Sequence, residues 1–218
     1  PVSDITRMNH YIRQSLCVFA ALTTAIFVFT MWADPYNIYR FGSADAERMS
    51  RIDQGLTMRL SKPWQVNQLK AEAAIVGSSR SGSIEPHNKQ WQGKRSFNLS
   101  MAGLTLYEML STIEHAHANG PLSDLVIGLE YETFIAGDYK VGIGFSEKRL
   151  AASTSAEFYQ QVVQDFLVTT LTTSAITRST MAINYRKPIT TRYFPDGHWE
   201  NESRAWRGES GYVSVGKN

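Results

Sequence analysis

Residues 73 to 80, AAIVGSSR, form a short apolar run that a Gly-Ser turn stops abruptly. Such a run, closed by a glycine, is the pattern of a strand buried on both faces in a covered parallel sheet. Two more segments share this reading: a weaker strand over Arg95 to Leu99, and Leu125 to Leu129, again nearly all apolar. Between them Leu106, Met109, Leu110 and Ile113 recur at i, i+3, i+4 and i+7, one face of a helix. Thr105 and Glu108 have the spacing of a capping box at its start, and Asn119, Gly120 and Pro121 form a stop signal. Strand, helix, strand is a βαβ crossover, so the expected class is α/β.

Further along the chain, the spacing of Phe158, Val162 and Phe166 predicts a helix over about Ser155 to Ile176. Its threonine-rich part after Val168 is poor for helix. Gly142 and Gly144 lie in a loop with no helix directly after them, which reads as a flexible loop rather than a phosphate cradle. On the other side, Ala44 to Leu60 has helical composition interrupted by Gly55, and Pro63 ends that stretch or opens the next helix. Beyond Pro188 the chain is polar and turn-rich. Three strands are few where about five are typical, so the sequence reads as though it stops before its fold does.

Upstream, Gln14 to Ala33 carries no charge and is bounded by Arg13 and Asp34. About 20 helical residues span about 30 Å, the hydrocarbon thickness of a bilayer. The expectation is an uncleaved transmembrane anchor, with Trp32, Tyr36 and Tyr39 as an interfacial aromatic belt. Arg13 against Asp34 orients the N-terminus to the cytoplasm and the domain outside, periplasmic in a Gram-negative cell. The expected division is 1–13 cytoplasmic, 14–33 membrane, 34–70 connector and 71–218 a partial α/β domain.

The 218 residues, less the anchor, suit one domain. A net charge of +2, with no basic run interleaved with aromatics, argues against a nucleic-acid partner. The single cysteine, Cys17, lies in the anchor, so no disulfide or cysteine metal site is expected in the domain. No cofactor or metal is expected.

Ligands of open parallel sheets gather at the carboxyl ends of strands, where Gly77, Ser78, Ser79 and Arg80 fall. A glycine allows a sharp exit, a serine Oγ becomes exposed, and the turn's N–H groups can face an oxyanion. The bland alternative is a serine that only caps a helix.

AAIVGSSR at 73–80, FNLSMAG at 97–103 before a helix, and LVIGLEY at 125–131 together resemble the opening half of membrane-anchored SGNH/GDSL-type hydrolase-like proteins. That family includes acyl-transfer proteins that work beside membrane-bound O-acyltransferases, as in alginate acetylation and teichoic-acid D-alanylation. The resemblance implies a flavodoxin-like three-layer α/β/α fold, Ser79 as nucleophile, and the Ser79 and Gly103 amides as oxyanion donors. Two blocks differ. Where the family offers Gly-x-Asn, this chain has Gly128, Leu129 and Glu130, leaving Asn98 as a substitute donor. Where the family has Asp-x-x-His, the nearest pair is Asp196 and His198, one residue too short. His10, His87, His115 and His117 read as solvated.

Two functions follow. One is an extracytoplasmic esterase or O-acyltransferase acting on acylated glycans through Ser79, His198 and Asp196. The other is a non-catalytic accessory subunit of a larger polytopic membrane complex. The missing Asp-x-x-His predicts that the chain as given is inactive or nearly so.

Overall fold

The structure is a computed structural model that describes residues 2–39, 51–55, 57–131, 134, 141–150, 155–184 and 191–201. Most of the helical composition expected before Gly55, the segment around Pro188 and the C-terminal tail lie outside the described residues.

Helix α1 runs over Val2–Ala33, and its part Met8–Ala33 is long and apolar enough to cross a membrane. Leu16, Phe19 and Leu22 on it are each more than half exposed, which a core helix would not tolerate. The helix is longer than the uncharged run because nothing before Arg13 breaks it. Of the three aromatics expected as a belt, only Trp32 is mainly exposed; Tyr36 is buried with Ile38 and Ala175, and Tyr39 packs beside them.

Next come α2 (Met58–Leu69), β1 (Ala73–Gly77), β2 (Ser96–Asn98), α3 (Leu106–Asn119) and β3 (Asp124–Gly128). The sheet is parallel with order β2-β1-β3. Ala73 pairs with Ser96 on one side and Asp124 on the other. The crossover through α3 therefore passes from one edge of the sheet to the other over β1. Alternation along β1 sends Ala74 and Val76 to one face and Ala73 and Ile75 to the other. The first pair joins Phe97, Leu99, Met109, Ala116, Met58 and Val66 in the main core. The second packs against Trp91. Strand β3 departs from the covered-sheet expectation: Val126 and Ile127 are 44% and 46% exposed, because β3 is an edge of the described sheet.

The capping box forms as read: Thr105 Oγ1 accepts from the Glu108 amide, and Glu108 accepts from the Thr105 amide. Pro63 neither ends nor opens a helix but sits inside α2. Its missing N–H leaves the Arg59 carbonyl without its i+4 donor, and Arg149 fills the vacancy at 3.1 Å. Arg149, on the short helix α4 (Glu147–Leu150), also makes two hydrogen bonds of 2.6 and 2.7 Å to buried Asp165. The expected single helix after Ser155 is two, α5 (Ala156–Thr170) and α6 (Thr173–Asn184), which break apart in the threonine-rich segment. Strands β4 (Thr191–Tyr193) and β5 (Trp199–Asn201) make an antiparallel hairpin.

Candidate functional site

The carboxyl ends of β1 and β3 meet at two glycines. Gly77 pairs with Gly128, and the side chain of Ser81 lies in the space their missing Cβ atoms leave. A Cβ at Gly128 would stand 1.9 Å from Ser81 Oγ, and one at Gly77 would stand 2.3 Å away. This close approach lets the chain turn out of β1 and present residues 78–80 above the sheet. Ser81 to Ser83 then form a 3₁₀ turn.

Ser78 is buried, and its Oγ donates to Glu130 Oε1 in a short hydrogen bond. Arg80 lies 3.7 Å from the other oxygen of Glu130. Ser79 is exposed, and among the described residues its hydroxyl has no hydrogen-bond partner. The loop after β2 is tied to the same place, because the Met101 amide donates to the Gly77 carbonyl at 3.0 Å. Gly103 follows with φ of +61°, exposed, and with open space where a Cβ would be. Arg59 holds the Gly103 carbonyl at 3.1 Å while pairing with Glu108 through both carboxylate oxygens. Burial raises the Glu108 pKa, but hydrogen bonds from Arg59 and the Thr105 and Gly142 amides outweigh it and hold it below the ordinary value. The glycine loop at Gly142 is thus pinned to this pair.

Asn98 is fully buried. Its Nδ2 donates to the carbonyls of Ser81 and Ile84, and its Oδ1 accepts from the Ser100 amide. Donating to an oxyanion would require it to release one of those carbonyls. What Asn98 supplies here is the link between β2 and the turn after Ser79.

Asp196 and His198 do pair, although their spacing is short. Both lie in the turn of the β4–β5 hairpin, where Gly197 takes φ of +86°, and His198 Nδ1 comes within 2.5 Å of Asp196 Oδ1. The second carboxylate oxygen of Asp196 lies 3.2 Å from Nε2 of His87. Sequence reading missed His87 as a member of this cluster, because its partner Asp196 is distant in sequence and only the tertiary fold brings the two together. Burial raises the Asp196 pKa, yet the bonds and charge of His198 and the charge of His87 leave it below the usual carboxylate range. The His198 ring stacks on Phe194 with centroids 4.1 Å apart.

His87, Phe194, Asp196 and His198 line a cleft of about 670 Å³ with Lys94, Arg95 and Ser96. Ser96 pairs with Ala73 at the amino end of β1, whereas Ser79 lies past the carboxyl end. Among the described residues no hydrogen bond joins Ser79 to His198 or Asp196. The turn is locked by Lys62, whose buried ammonium donates to the carbonyls of Asn98, Ser100 and Gly197 at 2.6 to 2.8 Å. Burial lowers the pKa of Lys62 well below its usual value. His115 is buried rather than solvated, with its ring between the carbonyls of Leu150 and Pro63. Among the described residues no group of His, Cys, Asp or Glu could hold a metal ion.

Comparisons with protein-family models, curated proteins and solved structures find no match to this chain.

Proposed function

We propose that this chain is a membrane-anchored, SGNH-hydrolase-like protein with its N-terminus in the cytoplasm and its domain outside, descended from an esterase or O-acyltransferase of acylated glycans. The observation that carries the reading is the exposed Ser79 just past the carboxyl end of β1, where the Met101 amide ties the loop after β2 to the Gly77 carbonyl. The strand order β2-β1-β3 supports it as well, because it matches the first three positions of the flavodoxin-like order. In such a site the serine Oγ forms a bond to the acyl carbon, and the departing alcohol takes a proton. Water or a glycan hydroxyl then cleaves the acyl-serine.

That reaction needs a base to take the serine proton. His198, the residue best equipped for it by its carboxylate partner, makes no hydrogen bond to Ser79. This favours the second role for the chain as it stands: an accessory subunit whose serine site is slow or silent. Absence of a general base costs typically about 10²- to 10⁴-fold in rate. A fluorophosphonate probe tests the reading, since slow or absent labelling of Ser79 fits it.

A further inference from the structure

We propose that helix α5 is a second membrane-contacting element, laying its exposed apolar stripe into the lipid interface beside the anchor. The inference rests on the membrane reading of α1 and adds a surface of the domain to it.

The stripe consists of Tyr159, Val163, Phe166 and Leu167, spaced i, i+4, i+7 and i+8, and continues into Leu171, which caps the helix; each is 37% to 61% exposed. Phe158, Gln161, Asp165 and Thr169 hold the opposite, buried face. An exposed stripe of this length on a helix already packed on its other side needs an apolar partner.

The position of α5 says which partner. Phe166 packs on Phe27 of α1 with ring centroids 5.4 Å apart, and Thr30 Oγ1 donates to the Thr170 carbonyl at 2.9 Å. Phe27 lies six residues before Ala33, so Phe166 sits about 9 Å short of the end of the apolar helix at 1.5 Å per residue. The apolar segment has 26 residues where about 20 suffice to span. Even if all the surplus stood in the headgroup layer, Phe166 and Leu167 would lie at the hydrocarbon boundary.

The chemistry of the segment agrees. From Phe166 to Thr177 there is no charged side chain. The flanking Asp165 is neutralised by Arg149 inside the domain. Thr169 and Thr170 are buried away from the stripe, and Thr172 donates its hydroxyl to the carbonyl of Val168, which hides its polarity from lipid. Lipid acyl chains, continuous with those around α1, are the occupant this surface fits.

The test is site-directed spin labelling of the full chain, with Cys17→Ser as background, in vesicles of phosphatidylcholine and phosphatidylglycerol. Labels are placed by Leu167→Cys and Leu171→Cys, with Leu22→Cys in the span and Glu114→Cys on α3 as references. The ratio of oxygen to water-soluble nickel accessibility is expected to rise severalfold at 167 and 171 over 114. Aqueous readings at 167 and 171 with a lipid reading at 22 would overturn this proposal and leave the anchor intact. An aqueous reading at 22 would overturn both. Labels at 167 and 171 that neither reagent reaches would mean that protein covers the stripe, and would also overturn it.

Discussion

Arg149 donates at 3.1 Å to the main-chain carbonyl of Arg59, the one that Pro63 leaves without a helical partner. The same guanidinium neutralises Asp165, so one side chain both repairs α2 and joins it to α5. Arg149→Ala would strand a buried carboxylate and an unpaired carbonyl. Loss of about 3 to 5 kcal/mol is expected, read as a lowered denaturation midpoint. The double variant with Asp165→Asn should be less destabilised than the sum of the two single changes.

Glu108 sets an acid limit on stability. Its folded pKa is depressed, so its contribution is fully present above its unfolded value of about 4.3 and is lost as pH falls through the lower folded value. Wild type should therefore lose stability below about pH 4.3 more steeply than Glu108→Gln. Parallel slopes of midpoint against pH for the two proteins would contradict this.

The glycine pair predicts a specific rescue. Gly128→Ala should cost about 1 to 3 kcal/mol through collision with Ser81. Ser81→Ala in the same chain removes the oxygen at 1.9 Å and leaves a Cβ at 3.0 Å, so it should restore part of the loss in thermal denaturation.

Much of the sheet was legible because its signals are local. The apolar run at Ala73 to Val76 and the reciprocal pair Thr105 and Glu108 need only neighbours in sequence to form. What was hidden depends on distant partners. Pro63 looks like a helix boundary until Arg149 supplies the missing donor. His115 looks solvated until the Pro63 and Leu150 carbonyls close over it. Asp196 and His198 look too close in sequence until a positive-φ glycine folds the hairpin turn around them. His87 joins that pair only through the tertiary fold.

The proposed orientation predicts that Lys148→Cys, on an exposed position of α4, reacts with a membrane-impermeant maleimide from the outer face of intact membranes. Cys17→Ser removes the background thiol. Labelling only after access to the cytoplasmic face would reverse the orientation.

We propose that Ser79 occupies a nucleophile's position without a working base. Fluorophosphonate labelling of the full chain, of Ser79→Ala and of His198→Ala addresses it most directly. Slow labelling or none is expected, with any labelling lost in Ser79→Ala and unchanged in His198→Ala. Rapid labelling that disappears in both variants would contradict it and make Ser79 and His198 a functioning pair.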